Sequence, residues 1–252
     1  VTAWVAVPSL DCAVRLLSLC RQRLGSGLSG FEAMGRLALA LVDQHFPHLR
    51  TPFVDQSDFC VLIEYEDANA QGSARERVEA SLEAAIEAGL VTDAVVATSM
   101  QQARQLWRAR ESIPLAQAEE GASVRHDISI PISCIASFCV ETDAALQEIV
   151  PTARLVNYGH LGDGNLHYNV QAPRDCDGAA FLRAHEDRIS TVVYERVRRF
   201  GGSISAEHGI GSAKLGALSR HKPQVALDMR RAGKGALDPG GILYPGRGIP
   251  MS

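Results

Sequence analysis

The order of apolar segments in the first part of the chain constrains its fold most strongly. Short runs rich in valine, alanine and aromatic residues alternate with segments whose apolar side chains recur at helical spacing. The order is strand, helix, strand, helix, strand, helix, strand, at residues 2–7, 9–24, 28–34, 35–46, 58–66, 74–89 and 92–99. This order predicts an α+β fold, in which a ferredoxin-like antiparallel sheet carries helices on one face.

The second part of the chain continues the alternation and ends in helices. The predicted elements are a helix at 100–119, a strand at 124–132, a helix at 137–150, strands at 154–160 and 165–171, a helix at 179–200 and helical stretches to about 233. The Gly- and Pro-rich tail at 237–247 predicts an ordered turn. We expect residues 1–150 to form mainly the sheet, and residues 151–252 to add the site motifs and a C-terminal helical segment.

Composition excludes several classes of protein. The 252 residues are 46% hydrophobic and 21% charged, which is ordinary for a globular chain, and the net charge of −4 offers no basic surface for nucleic acid. No apolar stretch approaches the roughly 20 residues that span a bilayer, and the first residues lack the order of a signal peptide. The six cysteines are scattered without close pairs, which argues against a disulfide framework or a zinc ribbon. We therefore expect a cytoplasmic protein.

The segment 157–169, NYGHLGDGNLHYN, is the first candidate for chemistry. If residues 163–164 form a two-residue hairpin turn, His160 lies directly opposite His167, about 4.5–5.5 Å away at Cβ. Asn169 then points the same way, because residues two apart on a strand share a face. Two imidazoles at this separation can bind one divalent metal. The competing interpretation is that each histidine only makes a hydrogen bond.

The pair Glu207-His208 in the segment SAEHGIG is the second candidate. It follows a small-residue stretch, ISA at 204–206, which we predict as a strand. The carboxylate would complete a site of two histidines and one carboxylate, an arrangement that leaves coordination positions open, as a catalytic metal requires. The alternative is an exposed Glu-His pair near the start of a helix.

Together these motifs resemble a known family. GHLGDGNLHYN and ISAEHGIG, with WRARESIP at 107–114, RHDISIP at 125–131 and LDPGGILYPGR at 237–247, are similar to the C-terminal domain of the FAD-linked oxidases. These vanillyl-alcohol-oxidase-like flavoproteins include D-lactate and D-2-hydroxyglutarate dehydrogenases. The resemblance extends over nearly the whole chain.

The resemblance implies oxidation of a D-2-hydroxy acid to the 2-oxo acid, with hydride transfer to FAD. The family's flavin-binding domain precedes this portion, so we expect an N-terminal FAD-binding domain in cis that is absent from this chain. The implied roles are metal ligands at His160, His167 and Glu207, a general base at His208, substrate contacts at Arg110, Arg125 and Asn169, and flavin-side contacts at Tyr244 and Arg247. The ligand types favour zinc or manganese.

Those residue types suit the reaction. A neutral imidazole at His208 accepts a hydroxyl proton near neutral pH. The planar guanidinium of Arg110 matches a carboxylate bidentately. Three departures from the family pattern affect the distal pocket and the flavin side: Pro114 replaces a hydroxyl-bearing residue, Arg125 replaces a common Lys, and the tail reads LYPGR where LNPGK is usual.

Two other classes of function remain open at this stage. One is a flavin-independent metalloenzyme that uses the same two-His, one-carboxylate centre, and the other is a non-catalytic binding or assembly module. The sequence leaves the electron acceptor and homodimer formation open. A membrane would be contacted only peripherally, through an electron-acceptor partner.

Overall fold

A computed structural model describes residues 1–67 and 74–249 of the chain. Its centre is one eight-stranded sheet in the order β4-β1-β3-β2-β7-β8-β5, in which β6 also pairs with β8 and every pairing is antiparallel. The strands are β1 (Thr2–Val7), β2 (Leu28–Gly35), β3 (Phe59–Tyr65), β4 (Asp93–Val96), β5 (Ser123–Val124), β6 (Asp127–Ser129), β7 (Arg154–His160) and β8 (Asn165–Gln171). The helices are α1 (Leu10–Leu24), α2 (Arg36–His45), α3 (Ala74–Glu87), α4 (Met100–Glu111), α5 (Ile113–Glu120), α6 (Ile135–Ile149), α7 (Gly178–Arg199), α8 (Leu215–His221) and α9 (Gln224–Leu237).

Helices cover both faces of the sheet, so the prediction of helices on one face is wrong. Val5 and Val61 face a core formed with α1, α3, α6 and α7. Trp4 and Leu62 face a second core formed with α2, α4 and α5. The reason lies in β1, where every residue is buried. An apolar run without polar alternation is typical of a strand covered on both sides.

The predicted helix at 100–119 is two helices, α4 and α5, which are separated at Ser112. Pro114 has no N–H to donate to the carbonyl of Arg110 four residues earlier, so a continuous helix would lose that hydrogen bond. The backbone N–H of Ser112 caps α4 instead, by donating to the carbonyls of Arg108 and Arg110. Arg110 therefore lies in the last turn of α4, where it is only 7% exposed to solvent.

The predicted strand at 124–132 is also divided, into β5 and β6. The segment at 204–206 that we predicted as a strand is not one. In the described part of the chain, its neighbour Ser203 forms only an isolated bridge with Ser129. The tail at 238–249 follows α9 as turns and bends, in agreement with the sequence prediction.

The hairpin of β7 and β8 has a different register from the predicted one. Tyr158, not His160, pairs with His167, because Leu161–Asp163 form a 3₁₀ turn and Gly164 closes the loop at φ 73°. The difference is two residues, and side chains alternate with period two, so both histidines stay on the same face as diagonal neighbours. The direct partner of His160 is Glu32 on β2.

Across residues 1–67 and 74–249, no helix has the length and apolar character needed to cross a membrane.

Candidate active site

The candidate site lies on the face of the sheet that packs against α4 and α5, at the point where this face changes from apolar to polar. Over β1 and β3 this face is formed by Trp4 and Leu62. Over β2, β7, β8 and β6 it carries side chains that need hydrogen-bond partners. These polar residues are Glu32, His160, His167, Asn169 and Asp127.

The buried carboxylate of Glu32 contacts two of the predicted site residues, His160 and Arg110. Glu32 is 4% exposed, and its Oε1 lies 2.6 Å from His160 Nδ1. Its Oε2 accepts from Arg110 Nε at 2.9 Å, and Arg110 Nη2 lies 2.8 Å from the same oxygen. Burial raises the pKa of Glu32, but the hydrogen bond from His160 and the charge of Arg110 outweigh burial and leave that pKa below its usual value. The same hydrogen bond raises the pKa of His160.

His167 is held beside aromatic rings. Its ring centroid lies 4.8 Å from that of Tyr158 and 5.6 Å from that of His208, with which it stacks. Burial, reinforced by the charge of Arg110, lowers the pKa of His167 to about 4. The ring is therefore neutral at pH 7, the form in which histidine binds a metal.

Asp127 holds the segment that carries Glu207 and His208. Its Oδ2 accepts from the backbone N–H groups of Ala206, Glu207 and His208 at 3.2, 3.0 and 2.9 Å. Burial raises the pKa of Asp127, but the N–H groups of His208 and Glu207 outweigh it and keep that pKa low. A non-helical loop is thereby fixed by one buried carboxylate, which explains how the side chains of Glu207 and His208 are positioned without a strand at 204–206.

Nitrogen atoms of two histidines lie close to the carboxylate of Glu207. Its Oε1 lies 3.2 Å from His167 Nε2 and 3.7 Å from His160 Nε2. Two ligand atoms each bound at 2.0–2.2 Å in tetrahedral geometry lie about 3.4 Å apart. A second combination uses atoms of Asp127, His167, Glu207 and His208 that all lie within 4.8 Å of one another. The two sets share His167 and Glu207, and the second has Asp127 and His208 in place of His160.

The three predicted substrate residues differ in their surroundings. The guanidinium of Arg110 lies over the Tyr158 ring at 5.2 Å, and among the described residues its buried Nη2 has no partner in hydrogen-bond geometry. Asn169 is 3% exposed, accepts from the backbone N–H of His126 and donates to Gln117. Arg125 is exposed and donates to Ser123. Arg110 and Asn169 are therefore fixed in the site, and Arg125 lies at its edge.

The two predicted flavin-side residues lie in the tail. Tyr244 is 75% exposed, and the guanidinium of Arg247 lies 6.0 Å from its ring. Asp238 shapes this tail by accepting from the backbone N–H groups of Ile242 and Leu243.

Sequence reasoning assigned no role to Glu32 or Asp127. Glu32 is the one charged residue in the strand LSGFEAMG, and a charge in such a strand signals a buried partner. Asp127 lies within the motif RHDISIP, where spacing gave no hint that it contacts Glu207. That contact spans 80 residues of sequence.

The fold and the motifs define a class of protein. The family model described as FAD linked oxidases, C-terminal domain, matches residues 1–247. The chain belongs to this family, as its motifs indicated.

Named relatives agree with the family. D-2-hydroxyglutarate dehydrogenase, mitochondrial, of Rattus norvegicus is 35% identical over 98% of this chain and 44% of its own length. The protein of the same name from Arabidopsis thaliana is 34% identical over 99% of the chain and 43% of its own length. The chain thus spans less than half of either relative. A crystal structure of p-cresol methylhydroxylase with substrate bound has a TM-score of 0.65 at 14% identity, over 98% of this chain and 52% of that one, and it supports the fold alone.

Proposed function

We propose that this chain is the substrate- and metal-binding part of an FAD-dependent dehydrogenase that oxidises a D-2-hydroxy acid to the 2-oxo acid. The observation that carries the proposal is the convergence of two imidazoles and a carboxylate beside a buried arginine that is ion-paired with Glu32. The names of the relatives support the substrate class. An FAD-binding domain in the same polypeptide would complete the site.

We assign the metal to His160, His167 and Glu207. Two nitrogens and one oxygen without a thiolate favour zinc or manganese. We take His160 as the third ligand because the family resemblance implies it. Asp127, whose Oδ2 accepts three backbone hydrogen bonds and whose buried Oδ1 has no hydrogen-bond partner in the described chain, belongs to the competing set. A divalent metal, when bound, acts as a Lewis acid that favours the deprotonated form of a hydroxyl group.

Arg110 binds the substrate carboxylate in this proposal. The buried guanidinium is already oriented by Glu32 and by the Tyr158 ring, so little side-chain freedom is lost when an anion binds. Glu32 Oε2 contacts its Nε and Nη2, so Nη1 is the nitrogen proposed to meet the substrate carboxylate. Asn169 and the exposed Arg125 would add polar contacts, and Arg125 is suited to the more distant end of the substrate.

His208 takes the hydroxyl proton. It is the most exposed of the site histidines, with its side chain 65% accessible, so a substrate can reach the ring. The stack against His167 and the hydrogen bond from its backbone to Asp127 fix its direction. The substrate loses this proton and the hydrogen on Cα. FAD, when bound, accepts that hydrogen as hydride.

The tail residues Tyr244 and Arg247 are proposed to contact the flavin side of the complete enzyme. We assign no electron acceptor, and a homodimer stays an untested possibility from the sequence. We also infer that β4-β1-β3-β2 forms a ferredoxin-like unit, which the strand order and the helices α1 and α3 support.

The experiment is a substrate screen on a polypeptide that contains both this chain and its FAD-binding domain. D- and L-lactate and D- and L-2-hydroxyglutarate are added without oxygen, and loss of flavin absorbance is recorded. We expect reduction by a D-enantiomer, and no reduction in the His208→Ala variant. His48→Ala, which changes an exposed histidine on the loop after α2, should behave like the unaltered protein. No reduction by any 2-hydroxy acid would contradict the proposal.

A further inference from the structure

Glu32 lies between the two halves of the candidate site. It is on β2, directly across the ladder from His160, and the helix end that carries Arg110 covers it. One oxygen of its carboxylate contacts the proposed metal ligand, and the other contacts the proposed substrate-binding guanidinium. Nothing in the sequence motifs pointed to this residue.

The contact with His160 determines which ring nitrogen is free. A carboxylate only accepts hydrogen bonds, so Nδ1 of His160 must carry the hydrogen that fills the 2.6 Å contact. In the neutral ring the lone pair is then on Nε2, the atom that lies 3.7 Å from Glu207 Oε1. Glu32 thereby selects the tautomer that can bind a metal on the Glu207 side.

The contact with Arg110 orients the guanidinium. Nε donates to Oε2 at 2.9 Å, so the planar group is held over Tyr158 and cannot rotate freely. Nη2 also lies 2.8 Å from Oε2, so Glu32 contacts two of the three guanidinium nitrogens and leaves Nη1 for an anion. Without an acceptor on Glu32, this buried cation would lose its partner, which is costly for a charge in the protein interior.

Resting on the proposed function, we propose that Glu32 is a positioning residue. Its two oxygens fix the orientations of the metal ligand His160 and of the anion-binding Arg110. An amide at this position cannot serve both. If its oxygen faces Arg110, its NH₂ group faces His160 Nδ1 and imposes the wrong tautomer. If its oxygen faces His160, the NH₂ group faces the guanidinium, donor against donor.

The test compares Glu32→Gln with a matched control, Glu120→Gln. Glu120 also pairs with a histidine and arginines, His45 at 2.8 Å, Arg154 at 2.5 Å and Arg174 at 3.2 Å, and its side chain is 5% exposed, as is that of Glu32. It lies beside the opposite end of β7 from His160. Both variants therefore remove one buried carboxylate charge, but only one does so in the site.

Zn²⁺ affinity of the chain is measured by competition with a chelator, with thermal unfolding as a parallel readout. We expect Glu32→Gln to weaken Zn²⁺ binding by about 10–100-fold, the usual loss when a group that orients a metal ligand is removed. Glu120→Gln should lower stability and leave Zn²⁺ affinity unchanged. Equal Zn²⁺ affinity in the unaltered chain and Glu32→Gln would overturn the proposal, as would an equal loss in both variants.

A second measurement needs no variant and therefore does not depend on its folding. Nitrogen-15 NMR of the Zn²⁺-bound chain reports the tautomer of each histidine ring. Hydrogen on Nδ1 of His160 is expected, and hydrogen on its Nε2 would overturn the positioning role. Failure of the unaltered chain to bind Zn²⁺ at all would contradict the metal site of the proposed function, and so is distinguishable from failure of Glu32 as a positioning residue.

Discussion

The two halves of the sheet use the same antiparallel ladder for different purposes. In β1 and β3, apolar side chains fill most of both faces, and Trp4 and Leu62 are fully buried against α2, α4 and α5. The polar exceptions, Thr2 and Glu64, hydrogen-bond to each other near one end of the pair. In β8, Leu166 and Val170 still face a core, but the opposite face carries His167. One face of a strand can therefore carry candidate site residues while the other face packs in the hydrophobic core.

The difference also shows what each half requires. An apolar side chain is stabilised by any well-packed neighbours, and its contribution scales with the surface removed from water. A buried polar side chain needs one particular partner. Glu32 and Asp127 meet this need in the second half, each by accepting hydrogen bonds from groups far away in sequence.

The largest effect on activity is expected at the polar half. His208→Ala should lower kcat of the flavin-loaded protein by about 10²–10⁴, the range for loss of a general base. The thermal midpoint should stay nearly constant, because the side chain is 65% exposed. Steady-state kinetics and thermal unfolding check both parts. A kcat close to that of the His48→Ala control would remove His208 from the role of base.

The largest effect on stability is expected at the apolar half. Trp4 is 0% exposed and donates from Nε1 to the carbonyl of Pro52. Trp4→Ala should lower the free energy of unfolding by about 3–5 kcal/mol, measured by denaturant titration. Val95→Ala on β4 is the control, since Val95 is 41% exposed. A similar small loss in both variants would mean that this face is not a packed core.

A smaller effect is expected when charge is kept but geometry is changed. Arg110→Lys replaces a planar fork with a point charge, so substrate binding should weaken by about tenfold, equivalent to one charged hydrogen bond of about 1.5 kcal/mol. KM should rise more than kcat falls. An unchanged KM would transfer the carboxylate contact to another cation, of which Arg125 is the first to test.

The smallest effect concerns pH and a region outside the site. Burial raises the pKa of Glu120, but hydrogen bonds from His45, Arg154 and Arg174 outweigh it and lower the pKa from 4.5 to about 2. Because the folded-state pKa is depressed, the stabilisation is complete above about pH 4.5 and is lost as the pH falls towards 2. Thermal midpoints of the unaltered chain and Glu120→Gln should therefore converge at low pH. A constant difference between them would contradict this account.

The spacing of apolar residues predicted most of the helices and strands, because this spacing can be recognised within each short segment of the sequence. It did not predict the hairpin register, because that depends on the 3₁₀ turn at Leu161–Asp163 and on pairing of His160 with β2. A two-residue error left the face unchanged, so His160 and His167 still lie on the same side of the sheet.

The partners of the site residues could not be predicted in the same way. Glu32 and His160 are 128 residues apart, and no spacing rule connects them. The break between α4 and α5 had a visible signal in Pro114, which a continuous helix could not accommodate without losing a hydrogen bond. Helices on both faces were also signalled, by the unbroken apolar run of β1.

The central claim is that His160, His167 and Glu207 hold one divalent metal while His208 stays free. Zn²⁺ titration of the unaltered chain, His160→Ala and His208→Ala tests this assignment directly, because each of these histidines belongs to only one of the two donor sets, the second of which also contains Asp127. We expect about one Zn²⁺ per chain, a large loss of affinity in His160→Ala and nearly unchanged affinity in His208→Ala. Loss of binding in His208→Ala with retention in His160→Ala, or no binding by the unaltered chain, would contradict it.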